Sequence, residues 1–249
     1  MYPAIFHLLQ PKVGFAWTTR IIAFIALGTL LICIAVMKRR VTPPSRRRLI
    51  DLGAWKELPF NLFALGGFLG FMGLYVPFFF INSFAIGKTA ASRELAFYFV
   101  SILNASSTVG RILPSFFADR VGPLNVLIPC TFITGILAFS WIAVHDVSGL
   151  VIFAVFYGFF SGTFVSLPPS AIATLSPDLK SVGTRMGMAF CVAGFGLLTG
   201  TPIGGALLDL KDMNFLRAQI FCGVTVVVGA VALLSARIAK VGTSLTTKL

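Results

Sequence analysis

Seven apolar runs of about twenty residues or more take up most of this chain, and they restrict what it can fold into. They are Trp17 to Met37, Phe60 to Ala85, Leu95 to Ala118, Val126 to Val144, Val147 to Leu167, Met186 to Leu208 and Phe215 to Ala236. About 20 apolar residues in a helix cross the hydrocarbon core of a bilayer. Within that core every backbone N–H and C=O must be paired internally, which leaves only helices and closed barrels. None of the runs alternates with the two-residue period of a barrel strand. The expected class is therefore an all-α integral membrane protein with seven spans, whose first partner is the lipid bilayer. The connections hold the helix breakers: Pro43-Pro44, Gly122-Pro123, Asp146, Pro168-Pro169, Pro177 and Asp209.

A formal net charge of +12 raises nucleic acid as a partner. The placement of the charges argues against it. Only 11% of residues are charged, against roughly a quarter in soluble chains, and most of the basic ones fall in short connections between runs. Of the 20 Lys and Arg residues, alternating topology puts 14 on one side (Lys38, Arg39, Arg40, Arg46, Arg47, Arg48, Lys56, Arg111, Arg120, Lys180, Arg185, Arg237, Lys240 and Lys248). The remaining 6 (Lys12, Arg20, Lys88, Arg93, Lys211 and Arg217) lie on the other. Positive charge accumulates in the cytosol, so the N-terminus is expected outside and the C-terminus inside.

The segment Lys38 to Lys56, with Pro-Pro and two basic triplets, separates one span from a group of six. Four parts follow: residues 1–37 as the end of a preceding bundle, 38–57 as a basic cytoplasmic linker, 58–236 as a six-helix bundle, and 237–249 as a cytoplasmic tail. Six-helix bundles form the halves of many secondary transporters, so a missing N-terminal half is an expected partner. The N-terminal sequence MYPAIFHLLQPKVGF lacks the features of a signal peptide.

Chemistry other than transport finds little support. Cys33, Cys130, Cys191 and Cys222 lie in separate runs without metal-ligand spacing. There is no phosphate-cradling loop, no HExxH and no convergent Ser/His/Asp set. No enzyme, cofactor or metal is expected. The eight acidic residues and both histidines sit at helix ends or in loops, so this chain offers no intramembrane proton relay.

Arg111 is the exception among the spans. At 100° per residue it shares an arc of about 120° with Ser101, Asn104, Ser107, Thr108 and Ser115. A polar stripe on a spanning helix faces the bundle interior or an aqueous cavity. Arg111 lies roughly 10 Å above the cytoplasmic end of its run, so two readings stand here: it lines a cavity, or it snorkels to the interface. Asn61, Tyr75 and Asn82 form a second stripe, provided Pro77 does not rotate the helix. Tyr157, Ser161 and Phe164 form a third. Each alone reads first as interhelical hydrogen bonding; the three together point to a polar-aromatic cavity. Gly196, Gly200 and Gly204 recur every four residues, leaving one helix face nearly bare so that a neighbouring backbone can approach. That ridge suits static packing or a sliding helix, and alanine at Gly200 is expected to be milder than leucine.

The stretch GRILPSFFADRVGPLNVLIP, together with YPAIFHLLQPKVGFAWTTRIIAF, YVPFFFINSFA and GTRMGMAF, resembles fungal monocarboxylate-transporter-like proteins of the major facilitator superfamily. The resemblance implies two six-helix bundles, of which this chain would be the C-terminal portion, about helices six to twelve. It implies secondary-active or facilitative transport, by alternating access, of a small organic solute such as a monocarboxylate or secondary metabolite. The alternative is a truncated, non-transporting membrane protein or partner subunit. Asp119 and Arg120 match the superfamily's cytoplasmic gate motif, with Ser115 and Pro123 standing where the pattern has Gly and Arg. Arg111 matches the arginine that contacts the substrate carboxylate in animal members, which carry Asp where this chain has Ser107. Asn104, Ser107, Tyr75, Asn82, Tyr157 and Ser161 would line the cavity. The plasma membrane is expected in preference to the vacuolar membrane.

Overall fold

A computed structural model describes residues 2–38, 50–89, 91–178, 180–208 and 214–242. The basic stretch of the linker from Arg39 to Arg48, the loop charges Asp209 and Lys211, and the tail from 243 onward lie outside the described residues. The chain divides into two compact units, residues 1–46 and 47–249.

The first unit holds α1, Tyr2–Val36, which begins well before the apolar run at Trp17. Two helical stretches meet at Gly14, whose φ of 77° lies in the left-handed region, accessible to glycine at little cost. The segment Leu8–Val36 is apolar and long enough to cross a membrane.

The second unit contains α2 (Leu58–Leu74), α3 (Val76–Lys88), α4 (Arg93–Val121), α5 (Pro123–Ser140), α6 (Val147–Ser166), α7 (Pro168–Leu175), α8 (Val182–Ala206) and α9 (Leu216–Val241). The second apolar run is thus two helices. Pro77 has no N–H to continue the ladder, and the break falls at Tyr75, which ends α2 and precedes α3. The α4–α5 turn needs Gly122, at φ 107°, and Pro123 opens α5, where a missing N–H costs nothing. Ser92 caps α4 by accepting from Leu95 N. Asp146 caps α6 by accepting from Gly149 N at 3.1 Å. The short α7 begins with Pro168-Pro169, a segment expected to be part of a loop.

Among the described residues six helical segments are long and apolar enough to span. The seventh expected span, α4, is not one of them. At 29 residues it is about 43 Å long, ample for a bilayer, but its polar arc lowers its apolar content.

Packing fixes the direction of each helix. Along the α4–α6 seam, Gly158 abuts the Leu103 carbonyl and Gly162 abuts that of Ser107, so these two helices run parallel. Gly196 and Gly200 of α8 meet Phe68 and Met72 of α2 in the same sense. By contrast, α9 runs antiparallel to α5, with Val227 near Gly135 and Phe139 near Gly223. The directions alternate as the short connections require. One end of the unit carries Asp51, Glu57, Asn125, Leu175, Arg185 and Lys240; the other carries Lys88, Val144, His145 and Asn214.

Candidate functional site

The polar stripe of α4 lies on the surface of the bundle. Asn104, Thr108 and Arg111 are exposed, and Ser101 and Ser115 are half-buried. Helix α4 presents three arcs. Ala96, Phe99, Leu103, Gly110, Pro114 and Ala118 are buried, in part against α6. Val109, Ile112, Leu113, Phe116 and Phe117 form an exposed apolar arc. The polar arc stands between these two. Ser107, at its margin, is 3% exposed because its backbone faces Gly162.

Hydrogen bonding within the stripe is local. Asn104 Nδ2 donates to Val100 O at 2.8 Å, Thr108 Oγ1 to Asn104 O at 2.9 Å, and Ser115 Oγ to Arg111 O at 2.6 Å. The hydroxyls of Thr108 and Ser115 are thereby quieted by their own helix. Among the described residues no acidic group pairs with the Arg111 guanidinium. Its five N–H donors are available for an external acceptor.

The other expected cavity residues separate into two groups. Tyr75 is half-buried at the α2–α3 break and stacks on Phe71 with centroids 6.2 Å apart. Asn82 is half-buried, and its Oδ1 is buried without a hydrogen-bond partner among the described residues, as is Ser101 Oγ. These groups keep unused polar capacity. Tyr157 and Ser161, however, are fully buried and do not share the surface of Arg111. Tyr157 Oη donates to Leu74 O at 2.8 Å, where the α2–α3 break begins, and its ring stacks on Phe153 at 5.1 Å. Ser161 Oγ donates to Gly158 O at 3.0 Å. Asn61 donates to Trp55 O at 2.7 Å instead of extending a stripe with Tyr75 and Asn82.

Asp119 and Arg120 are exposed on the last turn of α4, and neither forms a salt bridge among the described residues. The charge network at this end centres elsewhere. Arg185, 3% exposed at the start of α8, donates through Nη1 and Nη2 to Glu57 at 2.8 and 2.5 Å and through Nε to Asp51 at 3.0 Å. Its guanidinium also lies 5.9 Å from the Phe60 ring centroid. This bidentate geometry is the strong form of the pair, and the hydrogen bonds from Arg185 hold the Glu57 carboxyl below its ordinary 4.5. Nearby, Arg237 Nε donates to Asn125 at 2.5 Å, tying α9 to the start of α5, and Lys240 Nζ donates to Leu175 O at 3.1 Å. From the sequence, Arg185 is expected only as one of the cytoplasmic charges that set topology. The available signal was the placement of Asp51 and Glu57 just before a span, on the same side as Arg185.

The glycine ridge packs on α2 and, at Gly204, on the start of α3. A Cβ added at Gly196 or Gly200 would strike the carbonyl oxygens of Phe68 and Met72, and one at Gly204 would lie 3.1 Å from Val76 Cγ2. Even alanine at Gly200 therefore meets the backbone of α2. A second seam, unread in the sequence, joins α4 to α6 through Gly110, Gly158 and Gly162. There Thr163 Oγ1 donates to Gly110 O at 2.9 Å.

The family model that matches this chain is that of the Major Facilitator Superfamily, over residues 63–247. The chain belongs to the Major Facilitator Superfamily. Curated relatives agree. The MFS-type transporter dbaD of Emericella nidulans is 42% identical over 226 residues, 90% of this chain and 51% of that protein. The aspyridones efflux protein apdF of the same organism is 36% identical over 234 residues, 94% of this chain and 47% of that protein. The agnestins efflux protein AgnL12 of Paecilomyces divaricatus is 37% identical over 250 residues, 100% of this chain and 56% of that protein. The chain spans about half the length of these relatives and matches the C-terminal portion of the superfamily domain. It is a multi-pass membrane protein of this superfamily, and its helical bundle accords with that membership.

Proposed function

We propose that this chain supplies one wall of an alternating-access transporter that exports a small organic anion, with Arg111 as the anion-pairing residue. The observation that carries the proposal is the division of the exposed surface of α4 into a polar arc bearing Arg111 and an apolar arc bearing Ile112, Leu113 and Phe116. Lipid alone would not select such a division, whereas a helix bordering both a solute path and an apolar neighbour requires it. The superfamily's solute sites lie between two bundles. The second wall would come from the part of the relatives that this chain does not cover.

Snorkelling fits the arginine less well. Helix α4 continues to Val121, so Arg111 lies about 12 Å before Asp119 and about 15 Å before the helix end, rather than in the last turn. Helical side chains also leave the backbone tilted toward the N-terminus, here away from the nearer end. An arginine turned to lipid costs about 2.5–3.5 kcal/mol at the helix centre and less at the shallower depth of Arg111, a cost that a water-filled path removes. Asn104, Ser101, Tyr75 and Asn82 would supply neutral contacts. Tyr157 and Ser161 would support the α2–α3 break and the α6 seam from behind. Asp119 and Arg120 would act at the cytoplasmic gate by pairing across the two bundles. Two relatives named as efflux proteins, for aspyridones and for agnestins, support export of a small-molecule cargo.

The test is a chimera in which this chain replaces the matching portion of the MFS-type transporter dbaD, assayed for export of a panel of aryl and alkyl carboxylates. Arg111→Gln should abolish anion export at unchanged membrane abundance. Arg111→Lys should retain part of it, because charge survives without the bidentate fork. Undiminished anion export by Arg111→Gln would refute the role.

A further inference from the structure

At the end of the bundle opposite Arg185, three connections converge on a cavity of about 160 Å³. Phe84 and Lys88 come from the end of α3, Val144 and His145 from the α5–α6 connection, and Asn214, Phe215 and Gln219 from the start of α9. A single buried water needs roughly 10–15 Å³ by the same kind of measure, so the space suits a molecule of about ten non-hydrogen atoms. The residues that assemble here are far apart in sequence and belong to none of the stripes described above.

The walls have a definite chemistry. The floor is aromatic: Phe84 and Phe215 meet edge to face with centroids 5.2 Å apart, and the Trp141 indole packs behind Phe84 at 5.1 Å. Gln219, 4% exposed, is fixed by its Nε2 donating to Trp141 O at 3.2 Å. Lys88 and His145 stand at the exposed rim. No carboxylate is among the described lining residues, and the neighbouring Asp146 is occupied in capping α6. Among the described lining residues, one lysine, neutral polar groups and a paired aromatic floor suit an anionic head on a flat apolar body.

We propose that this cavity is a second ligand site, distinct from the face of Arg111, which takes a small aromatic carboxylate. The ring lies against Phe84 and Phe215, and the carboxylate faces Lys88. On the charge-derived topology it opens to the outside, so it would sample such solutes in the external medium independently of the transport path.

Trp141 makes the site observable. With Trp17→Phe and Trp55→Phe, the chain in nanodiscs retains one tryptophan of the original three, in contact with the wall of the cavity. Phenylacetate is the probe and phenylacetamide its neutral counterpart. Titration with phenylacetate should change Trp141 emission saturably. An exposed charge pair contributes up to about fivefold in affinity, so phenylacetamide should bind about fivefold more weakly. Lys88→Glu, which both removes and reverses the charge at an exposed position, should weaken phenylacetate about 25-fold. Arg111→Gln should leave the titration unchanged. Equal affinity for acid and amide, or no saturable change, would overturn the proposal. Loss of the signal in Arg111→Gln but not in Lys88→Glu would assign the ligand to the α4 face instead.

Discussion

Alanine at Gly200 separates a packing seam from a lipid-facing ridge. The added Cβ would run into the Met72 carbonyl oxygen and lie 2.6 Å from that residue's carbonyl carbon and Cα. Carbon atoms sit at about 3.5–4.0 Å, so α8 must withdraw from α2 by about 1 Å. The obstacle is backbone, which no rotamer change relieves. Gly196 and Gly204 share the seam, so the withdrawal loosens three turns of contact. Overpacking of this kind costs about 1–3 kcal/mol, and a backbone obstacle places the cost at the upper end. Replacing glycine by alanine inside a helix returns about 1 kcal/mol, for a net loss of about 2 kcal/mol. For a chain of this size that is a Tm lower by about 4–8 °C. The assay is thermal unfolding in detergent beside Gly194→Ala, whose added Cβ meets nothing within 4 Å on the same helix. Gly194→Ala should match or slightly exceed the parent. Equal Tm values for the two variants would refute the seam.

Other outcomes follow from the same geometry. Arg185→Leu removes a buried guanidinium from two partly exposed acids that can rehydrate, so the loss should be about 1–2 kcal/mol, less than the roughly 3–5 kcal/mol for breaking a fully buried pair; an unchanged Tm would mean that the clamp contributes nothing. Because the Glu57 carboxyl is held below 4.5, its contribution is complete above that value and fades as pH falls through the lowered one. The parent and Glu57→Gln should therefore differ in Tm at neutral pH and converge in acid. Tyr157→Phe leaves the Leu74 carbonyl without its donor and should cost about 0.6–2 kcal/mol in Tm measurements. Cysteines placed at Lys56 and Ser181 should react with impermeant maleimide only after permeabilisation, and one at His145 in intact cells; the reverse pattern would invert the topology.

The sequence made the spans legible because lipid demands length and apolarity, and both are local properties. Six of the seven runs became helices apolar enough to span, and Ser92, Asp146 and Gly122 mark boundaries by capping or turn chemistry. The break at Tyr75 was half legible, since Pro77 announced a disturbance but not its position. Nothing local showed that Gly110, Gly158 and Gly162 form one seam, because two of them become neighbours of the first only when α4 and α6 pack in parallel. The same limit hid the Arg185 clamp, whose acids lie more than a hundred residues upstream. It also led Tyr157 and Ser161 to be grouped with Arg111. Helical periodicity gives the face a residue occupies, but not whether that face meets water or the carbonyl of a broken helix.

On the proposed function the polar arc of α4 borders water while the apolar arc does not. Cysteine accessibility tests it directly. In the dbaD chimera with Cys33 and Cys191 replaced by serine and the buried Cys130 and Cys222 of this chain retained, single cysteines at Asn104, Thr108, Val109, Ile112 and Phe116 are labelled in membranes with a small charged thiosulfonate. Fast reaction is expected at Asn104 and Thr108, slowed by an exported anion, with negligible reaction at Val109, Ile112 and Phe116. Equal, slow reaction around the helix would contradict it and place the stripe against protein or lipid.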